Sequence, residues 1–120
     1  MAIVNQIEKK IRMTNSEGIK YQLITYCFIN NITISDADLC FLTILATTGE
    51  QELNYFCKHI HEANIFQSTQ TVRNAISKAE KKNLIVKAGK NKKKISINPT
   101  LNLFTEGNYL LEYKILALAS

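Results

Sequence analysis

Apolar residues recur along this chain with two different periods, and the changes of period mark its elements. From Asp36 to about Thr47, Leu39, Leu42, Ile44, Leu45 and Ala46 form a broad apolar face at helical spacing. Ser35 precedes them as an N-cap, and Asp36 and Asp38 lie in the first turn, where the helix dipole favours negative charge. Thr48-Gly49 ends that helix, and a second is expected over about residues 50–63 with Leu53, Phe56, Cys57 and Ile60 as its stripe. Asn64 to Gln67 connect it onward, with Ile65 and Phe66 as inward anchors. Ser68 caps a third helix, Thr69 to Lys82, whose Val72, Ala75, Ile76 and Ala79 point in. Asn83 falls where a left-handed residue closes such a helix. The period then shortens to two: Leu84–Lys87 and Lys94–Ile97 predict strands joined through Gly89-Lys90-Asn91-Lys92, and Pro99 stops the second.

The flanks are less distinct. Ile3, Ile7 and Ile11 recur every four residues, which suits a helix, yet they also share one face of a strand. Asn15-Ser16-Glu17-Gly18 has turn composition, and Ile19, Tyr21, Leu23, Thr25, Cys27 and Ile29 alternate through a β-rich run. These signals predict a β-hairpin over residues 3–13 and 19–29. Past Pro99, Glu106-Gly107-Asn108 separates apolar runs, so residues 101–118 read as a second hairpin, with a helix over Tyr109–Leu118 as the alternative.

Length allows one domain over residues 1–120: a hairpin extension (1–33), a core (34–98) and an apolar extension (99–120) able to serve oligomerisation. Apolar content of 46% with a mean hydropathy of −0.09 describes a folded chain rather than a disordered one. No window approaches the ~18 continuous apolar residues of a membrane helix. The N-terminus does not read as a secretory signal, since its charges follow its apolar residues. A cytoplasmic location is expected, in a host cytoplasm or a virion if the chain is phage-encoded. Richness in Ile, Asn and Lys is a usage common in AT-rich genomes, phages and mobile elements among them. Cys27, Cys40 and Cys57 have no paired spacing and read as buried thiols.

Charge changes the picture most. Residues 68–98 hold nine of the fifteen basic residues (Arg73, Lys78, Lys81, Lys82, Lys87, Lys90, Lys92, Lys93 and Lys94) against the single acid Glu80. That unit therefore carries +8, and the remainder −3, of a net +5. A charge run is most often a solvated face. Concentration of this one on a helix and the hairpin after it favours an acidic partner.

The run TVRNAISKAEKKNLIVKAGKNKKKISINP resembles the recognition helix and wing of winged helix-turn-helix regulators and of plasmid or phage replication initiators. The likeness spans about residues 35–98; Ala79 and Asn83 depart from it, standing where those families prefer Leu and Gly. It implies an α+β fold of three helices and a β-wing, with the hairpins added at either end. It also implies double-stranded DNA as partner, in transcription control or replication initiation, and a homodimer or higher oligomer.

On such a helix the outward face carries Gln70, Arg73, Asn74, Ser77, Lys78 and Lys81. Arg suits guanine, Gln and Asn suit adenine, and Ser and Lys suit phosphate. Ser68 and Thr69 would offer the helix N-terminus to a phosphate. Lys87, Lys90, Lys92, Lys93 and Lys94 would follow the backbone from the wing. The alternative role keeps the fold but makes it a structural or protein–protein component of a phage particle or other large assembly, gripping an acidic protein surface or packaged DNA.

Other chemistry is weakly indicated. Cys57, His59 and His61 lack the further ligands of a closed metal site. There is neither a phosphate-cradling glycine loop nor a nucleophile elbow, and the carboxylates are scattered. Neither an enzyme, a cofactor nor a membrane partner is expected. Tyr21, Tyr26, Tyr55, Tyr109 and Tyr113 read as core or interface aromatics.

Overall fold

The computed structural model describes residues 3–119; the Ile3 side chain of the N-terminal stripe lies outside what it describes. Among the described residues, four α-helices and two sheets form a mixed α+β fold. In chain order they are β1 (Ile3–Met13), α1 (Asn15–Ile29), α2 (Asp36–Thr48), β2 (Gln51–Glu52), α3 (Leu53–Glu62), α4 (Thr69–Lys81), β3 (Ile85–Ala88), β4 (Lys94–Ile97) and β5 (Tyr109–Leu118).

The expected N-terminal hairpin does not form. Residues 15–29 are a helix, and β1 pairs instead with β5, antiparallel, from Ile3↔Leu118 to Met13↔Tyr109. The reason lies in a spacing shared by both structures. Ile19, Leu23 and Cys27 are four apart, so they fall on one face of a strand and on one face of a helix alike. The cap decides: the Thr14 hydroxyl accepts from Glu17 N (3.2 Å), and the Glu17 carboxylate accepts from Thr14 N (3.1 Å). This reciprocal box satisfies two donors at the helix start, and Ile19, Leu23 and Cys27 then go into the core together. The C-terminal segment is neither hairpin nor helix but the single strand β5.

The middle of the chain follows its pattern closely. Ser35 and Asp38 make a second capping box at α2. The helix over 50–63 begins later, at Leu53, because Gln51-Glu52 pair with Ile95 and Lys94 as β2. The Glu52 carboxylate caps α3, accepting from Asn54 N (3.1 Å) and Tyr55 N (2.8 Å). Ser68 caps α4 through Thr71 N at 3.1 Å. The second sheet has the order β2-β4-β3, all antiparallel.

Asparagine takes over the role glycine commonly has at helix ends. Asn31, Asn64 and Asn83 stand left-handed (φ 56, 59 and 62) just past α1, α3 and α4. After α1, Ile32 N reaches Cys27 O and Asn31 N reaches Phe28 O; after α4, Leu84 N reaches Ala79 O and Asn83 N reaches Glu80 O. Both pairs are the Schellman closure, and they turn the next apolar residue back onto the core.

One core joins all four helices and the second sheet, with Phe41, Leu42, Leu45, Phe56, Ile60, Val72, Ile76, Leu84, Ile85 and Ile95 at most 1% exposed. Phe41, outside the expected α2 stripe, is central to it: its ring meets Phe66 edge-on at 6.0 Å and Phe56 at 6.5 Å. Ile65 and Phe66 do pack inward. Cys27 and Cys57 are buried, but Cys40 is exposed on the solvent side of α2, contrary to its expected burial. The β1–β5 ribbon stands out from this body. It gives the molecule extents of 55 × 30 × 27 Å and a radius of gyration of 16.9 Å, against about 14 Å for a compact chain of this length.

Candidate nucleic-acid interface

The basic unit is built on α4 and the β3–β4 hairpin. Val72, Ala75, Ile76 and Ala79 of α4 are buried, and this alone turns Gln70, Asn74, Ser77, Lys78 and Lys81 to solvent. The hairpin is held against α3 by Leu53 N to Lys93 O (2.7 Å). Its turn passes through Gly89 (φ 80) and through left-handed Asn91 and Lys92 (φ 59 and 53), and Lys90, Lys92, Lys93 and Lys94 are all exposed.

Within this unit the expected residues separate into groups. Lys78, Lys81, Lys90, Lys92 and Lys93 form no ion pair among the described residues. Lys87, half-buried, is drawn to Glu80 of α4 (3.5 Å), and Lys94 is near Glu50 (3.9 Å). Gln70 and Asn74 are linked to each other, the Gln70 amide donating to Asn74 Oδ1 at 3.0 Å. Ser68 is occupied as the helix cap and by the Thr71 hydroxyl (2.8 Å), and Thr69 beside it is half-buried. Lys82 turns away from the group and donates to Thr33 O (2.6 Å), tying α4 to the α1–α2 connection.

Arg73 differs most from its expected place. It is half-buried, and its guanidinium donates to Asn54 Oδ1 at 2.5 Å, at the start of α3. Its charge, with that of Lys93, adds to the hydrogen bonds from Tyr55 N and Asn54 N that hold the Glu52 carboxyl below its ordinary range. Asn54 is thus a residue of this site that the sequence pattern does not mark. Its only signal is a polar residue in the first turn of a helix that the pattern starts three residues too early.

Cys57 is fully buried, and its thiol is pushed up by that burial. His61 Nδ1 lies 3.2 Å from Phe66 O. Tyr55, exposed on α3, stacks parallel to His59 with centroids 6.4 Å apart. No helix among the described residues is long and apolar enough to cross a membrane.

No family model, no curated protein and no solved structure matches this chain.

Proposed function

We propose that this chain is a winged helix-turn-helix protein that binds double-stranded DNA, in transcription control or replication initiation. In this reading α2, α3 and α4 are the three helices, α4 enters the major groove, and the β3–β4 hairpin is the wing. The observation that carries it is the set of lysines that form no ion pair among the described residues, Lys78 and Lys81 on the exposed face of α4 and Lys90, Lys92 and Lys93 on the hairpin. Exposed cations that close no ion pair of their own suit a row of phosphates. The order β2-β4-β3, with a short strand between α2 and α3, supports the same reading.

Base reading falls to Gln70 and Asn74, whose amides suit adenine once they exchange their mutual bond for a base edge. Arg73 acts first as the brace between α4 and α3, and a guanine contact by it requires giving up Asn54.

Titration of mixed duplex DNA at two salt concentrations tests this. If about six phosphates are neutralised, log affinity falls with log salt at a slope near −5. Changing Lys90, Lys92, Lys93 and Lys94 together to Ala flattens that slope by about three to four. Asn74→Ala weakens discrimination between sequences rather than overall affinity, by about 1–3 kcal/mol at one base position. Absence of binding at low salt removes the proposal.

A second reading, a structural or protein–protein component of a large assembly, draws support from the ribbon, where Ile7, Leu110, Ile115 and Leu118 are each at least half exposed. A particle-sized mass together with no duplex binding selects it.

A further inference from the structure

Helix α1 carries two apolar faces, and the core uses only one. Ile19, Leu23 and Cys27 are buried, while Tyr21, Ile24 and Phe28 recur at three- and four-residue steps on the other side, with Ile29 next to Phe28. Of these Phe28 is 82% and Ile29 69% exposed. Beside this second stripe runs a groove of about 520 Å³. Its walls are Tyr21, Thr25 and Ile29 of α1, Leu103 and Phe104 of the following segment, and Leu110 at the base of the ribbon. Phe104, 75% exposed, forms its outer lip.

We infer that this surface is where a second copy of the chain docks, α1 against α1 across a two-fold axis. Three observations select that occupant. The same patch holds both a projecting ring and a hollow wide enough for one, as an isologous interface requires. An antiparallel axis near Ile24–Thr25 sets Phe28 of each copy over Tyr21 and Gln22 of the other, at the groove. Second, no side chain lining the groove is charged. Two copies of a chain of net +5 can therefore meet here without opposing like charges, while their basic faces stay open. Third, the area suffices. Tyr21, Phe28 and Phe104 alone leave about 400 Å² of apolar surface in water, taking ~200 Å² for each ring. Ile24, Ile29 and Leu110 bring the patch towards the ~800 Å² that each partner contributes to a specific dimer. It already equals the largest apolar patches of ordinary monomers, ~300–600 Å².

This docking is independent of what the basic face binds. It would also clamp the foot of a two-stranded ribbon that is marginal alone. Sedimentation equilibrium at micromolar concentration, in low and in high salt, tests it. The expected mass is twice 13.6 kDa under both conditions, because the contact is apolar. Phe28→Glu, at an exposed position, raises the dissociation constant by about thirtyfold or more, as for a central interface aromatic. Circular dichroism confirms that the variant is folded. Cross-linking keeps the question open to refutation if that variant fails to fold. In a Cys40→Ser background Thr25→Cys gives a disulfide-linked dimer under mild oxidation, and Gln70→Cys does not. A wild-type monomer overturns the inference, as does a dimer indifferent to Phe28→Glu. A monomer that instead takes up a stoichiometric apolar dye, or binds neutral lipid vesicles, overturns it in favour of a small ligand or a lipid surface.

Discussion

The ring of Tyr109 occupies the notch left by the missing side chain of Gly18. A methyl group on Gly18 would lie 2.3 Å from Cγ of that ring. The Tyr109 hydroxyl donates to Phe104 O, and Gln22, one turn on from Gly18, binds the backbone of the same Phe104. The Gln22 amide donates to Phe104 O (2.8 Å), and Phe104 N donates to Gln22 Oε1 (2.8 Å). Gly18 and Gln22 together therefore fix where the chain leaves the core and where the ribbon begins.

Gly18→Ala should consequently destabilise the fold by about 1–3 kcal/mol through overpacking, more than the ~1 kcal/mol gained from a better helix former. In a Tyr109→Ala background the same change should become stabilising, since only the helical gain remains. Urea denaturation of the four-member cycle measures this, and an unchanged sign in the two backgrounds rules out the notch.

Asn83 stands at φ 62 and its carbonyl accepts from the Asn98 amide at 2.9 Å. Asn83→Ala should cost about 1–2 kcal/mol, because the Cβ then meets a left-handed backbone without a local polar partner. Asn83→Gly should be close to neutral. Denaturation midpoints of the two variants separate this conformational cost from loss of the side chain itself.

Stability should fall with acid at two helix starts. Backbone and side-chain hydrogen bonds from Thr14 hold the Glu17 carboxyl below its ordinary value, and bonds from Tyr55 N and Asn54 N do the same for Glu52. A carboxyl depressed in the folded state contributes stability above its unfolded value, lost as pH drops through the folded one. The double variant Glu17→Gln, Glu52→Gln should be less stable at neutral pH and show a shallower loss below the ordinary value of 4.5. Thermal midpoints stepped downward from neutral pH report it.

Thiol labelling should resolve one fast cysteine from two protected ones. Cys40 is exposed, whereas Cys27 and Cys57 are buried and their thiols are pushed up by that burial. A disulfide reagent should modify Cys40 at once and the other two only as the protein unfolds. Cys40→Ser should abolish the fast phase.

Several elements were legible because their signals are local. Ser35 and Ser68 cap the helices expected of them, Asn83 turns left-handed after α4, and the strand Lys94–Ile97 runs as expected. The inward stripe of α4 needs only helical spacing and the burial of Val72 and Ile76, so the exposed face with Gln70, Asn74, Lys78 and Lys81 was readable too. The hold of Asn54 on Arg73 was not, for it joins residues 19 apart. Nor was β2, two residues long and meaningful only beside Ile95 and Lys94.

The flanks mark the boundary between the two kinds of information. By itself the sequence determined that Ile7 and Ile11, and again Ile19, Leu23 and Cys27, would share a face, because four is a multiple of the strand period and close to the helical one. It also held, in Thr14 and Glu17, the capping box that makes the second set helical. The strand expected over residues 3–13 forms, but only the tertiary structure decided its partner, which is Tyr109–Leu118 at the other end of the chain rather than residues 19–29. Pairing across that separation leaves no periodic trace in either segment. Its mark is in contacts between distant residues: the seat that Gly18 makes for Tyr109, and on the ribbon Glu8 against Lys114 (3.6 Å) and Lys10 against Glu112 (3.5 Å), exposed pairs that add little by themselves.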